Sequence, residues 1–252
     1  MKKFIMSKKI AYFLGIILLL LIWSFISFLI DERTLIFPDP YTTIKETIIL
    51  LGKNFTYKCI FSSLVRFFIG FFISLLLSII FGVIAGNNRF FKKLFTPFIV
   101  SLKSIPTAAL VFLFLVILGA RNTPIVMVIL VAFPILYEAI SGGIENMDQD
   151  IIKSIKLENT SKFRNIFCIQ LPLIMPYLLV GIASSFTLSF KIEIMSEILT
   201  GDTRMGLGAA ILSFQKTDPI NMIPIFSYSL IVIILSLIFT SVINIFKKKF
   251  RI

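Results

Sequence analysis

Residues 150–181 read DIIKSIKLENTSKFRNIFCIQLPLIMPYLLVG. The stretch begins polar and basic, turns amphipathic, and passes through Leu171-Pro172 and Pro176 into an apolar run. Asp148 or Asp150 is suited to cap a helix start. Ile151, Ile152, Ile155 and Leu157 then form one apolar stripe, with Lys153 and Lys156 on the other face. Asn159-Thr160-Ser161 interrupts, Asn159 being suited to a left-handed position and Ser161 to a second N-cap. Phe163, Ile166, Phe167 and Ile169 give a second apolar face opposite Lys162 and Arg164. Pro172 opens the next run, in the first turn where a helix tolerates proline. The expected structure is two short helices at an angle, with Phe163 exposed, leading into a membrane span. Such a segment suits either a groove on a partner protein or the surface of the inner leaflet.

The surrounding composition is that of a membrane protein. Of 252 residues, 58% are hydrophobic, and the mean hydropathy is +0.99; soluble domains sit at about 45–50% apolar even by a broader count. The net charge of +12 does not point to nucleic acid, because Lys and Arg gather at the ends of apolar runs, as topology signals do. The chain has no histidine, which removes the usual general base and the commonest metal ligand. Cys59 and Cys168 make neither a disulfide framework nor a metal cluster. No catalytic residue and no metal site is expected.

A span needs roughly 20 apolar residues, and six stretches qualify: about 10–30, 64–86, 95–118, 123–141, 173–195 and 224–246. The first is longer than the roughly 7–15-residue core of a signal peptide and is read as an uncleaved span. Pro106 in the third and Pro134 in the fourth predict kinks supported by neighbouring helices. With the N-terminus inside, the inner segments carry fifteen basic residues and the outer segments seven, which places both termini and the 147–171 loop in the cytoplasm. Outside, Pro38-Asp39-Pro40 precedes a short surface helix over 41–53 with Ile44, Ile48, Ile49 and Leu51 at near-helical spacing. The 196–223 segment carries Met205-Gly-Leu-Gly-Ala-Ala-Ile, a turn opening another short helix. No internal repeat or linker divides the chain, so residues 1–252 are expected to form one transmembrane domain.

Charges within or beside the spans are candidates for a solute pathway or gate. They are Lys103, Lys191, Glu193 and Glu197. Lys103 suits pathway lining and helix pairing equally, and Lys191 can also snorkel as an interface anchor. Glu193 and Glu197 are one turn apart, which argues for a wet environment. Arg66 reads as an outer-interface anchor, and Glu138 as reaching water or a basic loop residue. The chain lacks Gly-x-x-x-x-Gly-Lys-Ser/Thr, so it is not expected to hydrolyse ATP itself.

The loop and its Leu-Pro-x-x-x-Pro exit resemble the EAA loop of ABC importer permeases. That pattern runs Glu-Ala-Ala-x-x-x-Gly and then, at some distance, Leu-Pro. Aligned on Leu171-Pro172, its glycine falls on Asn159 and its Glu-Ala-Ala on Lys153-Ser154-Ile155. Asn replaces Gly where a left-handed residue is needed, and Lys reverses the charge of Glu. FPDPYTTIKETIILL, the segment from Ser63 with Ser-Leu-x-Arg-x-x-x-Gly-Phe, FPILYEAISGGI and KIEIMSEILTGDTRMGLGAAI resemble the sulfonate/taurine/nitrate-type permeases. The resemblance covers about 38–250.

It implies an all-α type I ABC importer permease (MetI-like) bundle, paired with a second copy of itself in the cell membrane. Cytoplasmic ABC ATPases, holding ATP and Mg, would dock on the 147–171 loop. An extracellular binding protein would deliver the solute, a sulfonate-, taurine- or nitrate-like anion or a thiamine-precursor pyrimidine. This chain would carry no cofactor of its own. The rival readings are a gradient-driven secondary transporter using Lys191, Glu193 and Glu138 as a relay, a membrane-embedded enzyme, and a scaffold subunit. Secondary transporters often show two related halves, which are not found here. The lack of histidine weighs against an enzyme.

Overall fold

The computed structural model describes residues 2–30, 36–148, 161–201 and 205–249. These residues are helical with no strand among them, as expected of a chain whose backbone groups must be satisfied where no water can reach them. The helices are α1 (Lys2–Ile30), α2 (Pro40–Leu51), α3 (Asn54–Asn87), α4 (Arg89–Ser104), α5 (Thr107–Glu145), the short α6 (Lys162–Asn165) and α7 (Leu171–Leu173), α8 (Met175–Thr200), α9 (Leu207–Thr217) and α10 (Ile223–Lys249). Five of them are long and apolar enough to cross a membrane: α1, α3, α5, α8 and α10. Two compact units emerge, Met1–Lys58 with Ala210–Ile233, and Cys59–Ala209 with Ile234–Ile252.

In the smaller unit, Asp39 caps α2 by accepting from the Tyr41 and Thr42 amides at 3.0 and 3.2 Å and from the Thr42 hydroxyl at 2.5 Å. Pro40 occupies the first turn, where its missing N–H costs nothing. The expected helix over 41–53 is present, but the apolar stripe does not face inward. Thr43, Thr47 and Leu50 are buried, whereas Ile44, Ile48 and Ile49 are exposed. The threonines suit the interior because each hydroxyl bonds the carbonyl four residues back, Thr43 to Asp39 and Thr47 to Thr43. Ser227 adds a bond to the Thr43 carbonyl at 3.2 Å, and Thr56 meets the buried Tyr228 hydroxyl at 3.1 Å. Trp23 of α1 donates to the Pro38 carbonyl at 3.0 Å.

In the larger unit, α3 packs along the later part of α5 through glycines. A Cβ at Gly70 would lie 2.6 Å from the Ile125 carbonyl, at Gly82 2.9 Å from Ile140, and at Gly86 2.7 Å from Ile144. The matched steps rise together in number, so these two segments run parallel. The chain between them must therefore cross back, and α4 with the first part of α5 makes that crossing. Lys103 meets Glu138, Lys92 meets Glu145, and Leu110 and Val111 share a core cluster with Met127. Such contacts are impossible along a straight helix of 1.5 Å rise per residue. The reversal sits at Gly119, whose φ of 74° and ψ of 167° leave the helical region inside α5; only glycine adopts such a backbone easily. Five candidate spans are present among the described residues where six were expected: the end of the third and all of the fourth lie in α5, divided only at Gly119.

The third expected span, 95–118, is not one helix. It breaks at Ile105, whose ψ of 131° is extended, because Pro106 lacks an N–H and disfavours helical geometry in the residue before it. Pro134 lies inside α5 with no departure from helical dihedrals. The second span starts about ten residues earlier than expected, at Asn54, and the fifth runs on to Thr200. α8 packs antiparallel to α5, with Gly181 against Ala139 and Gly143 against Ile174 and Tyr177. Phe67 is buried among Phe71, Phe186 and Phe190, so the phenylalanines in this region act as packing.

Two outcomes follow for stability. Gly82→Leu inserts side-chain atoms where none fit and should cost about 1–3 kcal/mol as overpacking does, seen as a lower Tm in detergent. Gly142→Ala, which meets open space, should leave Tm unchanged or raise it. Asp39 lies outside the spans, and its carboxyl sits below the usual range chiefly through the Thr42 hydroxyl bond, aided by the Thr42 and Tyr41 amides and opposed by burial. A depressed folded pKa gives stability that is present above the unfolded value of about 3.9 and is lost as pH falls through the folded value. The Tm advantage of the wild type over Asp39→Asn should therefore be larger at pH 7 than at pH 3.

Candidate functional site

Glu193 and Glu197 are fully buried, so the wet environment expected from their spacing is not what the fold supplies. Arg66 of α3, only 14% exposed in its side chain, lies against both. Its Nε donates to Glu197 Oε1 at 3.0 Å, and its Nη2 donates to the same oxygen. Nη1 donates to the Ser62 hydroxyl at 2.9 Å and Nη2 to the Met205 carbonyl at 2.7 Å. Arg66 is therefore a largely covered ion-pair partner, and the reading of it as an interface anchor is corrected. A guanidinium inside an apolar run requires a partner or water, and the carboxylates of α8 supply one.

The same cluster holds the loop before α9. Glu197 Oε2 accepts from the Gly208 amide at 2.8 Å, and the Ser63 hydroxyl accepts from the Leu207 amide at 2.9 Å. Glu197 thus caps the first turn of α9 from another helix, where free amides and the helix dipole favour an anion. Gly206 and Gly208 are needed for that approach, since a Cβ on either would lie 2.5 Å from Glu197 or Arg66 atoms. Glu193 is 3.7 Å from Arg66 Nε, and neither of its oxygens has a hydrogen-bond partner. The arrangement has no nucleophile and no acid–base pair open to a substrate; it fixes α3, α8 and the loop to one another.

Lys103 and Glu138 form a second pair at 2.8 Å, with side chains 46% and 48% exposed. The pairing alternative for Lys103 is thus realised, and Glu138 meets a basic residue of α4 instead of a loop. Lys191 is exposed on α8 beside Ser184 and Leu188, and no ion pair joins it to the other candidates among the described residues. Between α3, α4 and α5 lies an apolar cleft of about 290 Å³ lined by residues such as Phe81, Phe95, Leu130 and Phe133; it offers no polar group to a solute.

Of the loop residues expected to meet a partner, Lys153, Ser154, Ile155 and Asn159 lie outside the described residues. Phe163 lies in α6. Ser161 starts that helix, its hydroxyl accepting from the Arg164 amide at 3.4 Å. Ile166–Gln170 then widens into a π-helix. Pro172 has no amide to donate to the carbonyl four residues earlier, and the Leu171 amide reaches five residues back to Ile166. Leu171 is half-buried and Pro172 exposed. Asn87, at the end of α3, exchanges two bonds with Gln170 at 2.9 and 3.1 Å. No periodicity or motif in the sequence signals this tie.

Residues 78–252 match the family described as "Binding-protein-dependent transport system inner membrane component". Among solved structures, the chain is similar to one described as "Crystal structure of an amino acid ABC transporter with histidines". The TM-score is 0.64 at 14% identity, with 84% of this chain and 98% of that one covered; at that identity the likeness is one of fold. No curated protein sequence matches the chain.

Removing one partner of a buried ion pair strands the other charge, at a cost of about 3–5 kcal/mol. Arg66→Met should therefore lower Tm sharply in detergent. The triple variant Arg66→Met, Glu193→Gln, Glu197→Gln should recover part of the loss, and no recovery would show that the charges are not coupled.

Proposed function

The chain belongs to the family of binding-protein-dependent transport system inner membrane components, and we propose that it is the pathway-forming permease of an ATP-driven importer, working as a pair of identical subunits. The carrying observation is that the family match spans the α5–α8 core together with the Leu171-Pro172 exit. Both termini and the 147–171 loop lie in the cytoplasm, where the excess of basic residues falls. The loop is where an ABC ATPase docks, through Lys153, Ser154, Ile155, Asn159 and Phe163, with Leu171-Pro172 passing the movement to α8. ATP and Mg belong to that partner. The opposite end, with Met205–Gly208, faces an extracellular binding protein.

The cargo is a small polar solute. The sequence resemblance favours a sulfonate-, taurine- or nitrate-like compound or a thiamine-precursor pyrimidine, and the structural neighbour's own description names an amino acid transporter.

Affinity purification from native membranes in mild detergent tests the reading: an ATPase subunit with a phosphate-binding loop should accompany the permease at one copy each. Its absence would favour a gradient-driven transporter. Phe163→Asp should abolish that co-purification while the permease still elutes as a folded species. A cysteine replacing Ser161 should resist an impermeant thiol reagent in intact cells; labelling there would reverse the topology.

A further inference from the structure

α4 carries a polar stripe along its whole length. At 100° per residue, Arg89, Lys93, Thr96, Val100, Lys103 and Ser104 fall within an arc of about 100°, and all six are exposed. The opposite face is apolar, and its Phe91, Phe95 and Leu102 pack on the core of Phe133 and Tyr137. An amphipathic helix lying flat on a membrane surface would explain such a pattern, but α4 does not run that way. Lys92 is tied to Glu145 near the end of α5 at 2.5 Å. Phe95 meets Phe133 edge-on and Tyr137 at a tilt, and Phe98 and Leu102 reach the level of Ile129 and Leu130. α4 therefore climbs alongside the bundle, and its stripe climbs with it.

Glu138 lies seven residues before Glu145 in α5, about 10 Å further along the axis. It sits inside the apolar 123–141 run, and Lys103 meets it there. A half-exposed ion pair at that depth is costly against lipid tails and is found facing protein or a water-filled cavity. Gly142, one turn from Glu138, has open space where a Cβ would be, so among the described residues none packs against α5 at that position.

We propose that the Thr96–Ser104 face of α4, together with Glu138, lines the water-filled solute pathway, and that the Lys103–Glu138 pair keeps this stretch free of net charge so that it admits solutes bearing both charges, or none, over simple anions. This rests on the permease reading. A zwitterion can offer its anionic end to Lys103 and its cationic end to Glu138, replacing one ion pair by two. A bare anion reaching Lys103 leaves Glu138 unpaired and is repelled by it. A pathway built for simple anions would present Lys103 without its carboxylate.

Cysteine accessibility in the permease–ATPase complex, reconstituted in nanodiscs, tests both parts. In a Cys59→Ala, Cys168→Ser background, single cysteines replace Ser104, Val100 and, on the apolar face, Phe98. The probes are a trimethylammonium-ethyl and a sulfonato-ethyl methanethiosulfonate. Cysteines at 104 and 100 should react several-fold faster than at 98, with similar rates for the two reagents. Adding Glu138→Gln should shift the preference toward the anionic reagent, and Lys103→Gln toward the cationic one. If neither 104 nor 100 outpaces 98, the stripe is not in water. Fast labelling whose charge preference ignores both substitutions would remove the pair from selectivity. Retention of the ATPase is read on the same sample, so failed labelling with the ATPase bound sinks this proposal and leaves the permease reading standing.

Discussion

The parallel contact between α3 and the later part of α5 organises the larger unit. In hydrocarbon no hydrophobic force drives helices together, and close approach of backbones has to supply the attraction. Gly70, Gly82 and Gly86 give α3 a seam on which Ile125, Ile140 and Ile144 rest. Two parallel neighbours that follow each other in sequence need a return crossing, and two local features make it possible. Pro106 ends α4 so that the crossing can change direction, and Gly119 reverses the chain in one residue. α8 then closes the other side of α5, again through small residues, Gly181 on Ala139 and Gly143 beneath Ile174.

With the helices fixed, the buried charges have a defined purpose. Arg66 alone on α3 would be intolerable, as would two carboxylates on one face of α8. Placed together they leave a cluster in which Glu197 is saturated by Arg66, Ser63 and the Gly208 amide, while Glu193 has a charge nearby and no hydrogen bond. A buried ion pair contributes little net stability, because desolvation offsets attraction. Its effect is on specificity: Glu197 can be satisfied only when the loop reaching Gly208 is in place.

Much of the fold was legible because it depends on local chemistry. Apolar runs of sufficient length mark the spans, Pro38-Asp39-Pro40 marks the start of α2, and Met205-Gly-Leu-Gly marks the start of α9. What escaped the sequence depends on partners far along the chain. The one-turn spacing of Glu193 and Glu197 speaks of repulsion, and nothing near them reveals Arg66. Lys103 and Glu138 were each recognisable as costly within apolar runs, but their pairing requires the reversal at Gly119. α2 was legible as a surface helix, but which of its faces is covered was not. Burial of apolar residues is a rule for water, and beside a bilayer Ile44, Ile48 and Ile49 can lie outside while threonines, bonded to their own backbone, lie within. The proposed coupling residues Lys153, Ser154, Ile155 and Asn159 were read only by alignment on Leu171-Pro172.

α8 joins the two ends of this arrangement. It is continuous from Met175 to Thr200, about 39 Å at 1.5 Å per residue. Its start is tied to the Ile166–Gln170 π-helix through Ile174, whose amide donates to the Gln170 carbonyl at 3.0 Å. Its far end holds Glu193 and Glu197. The π-helix is also bound to the end of α3 by the Asn87–Gln170 exchange, and α3 carries Arg66. The two helices are therefore tied at two levels, by the amide pair between the end of α3 and the π-helix before α8, and by the ion pair between Arg66, twelve residues into α3, and the far end of α8. A force applied at residues 161–170 cannot tilt α8 away from α3 without breaking one tie. The amide pair is exposed and exchanges readily with water, whereas the buried charges have no such substitute.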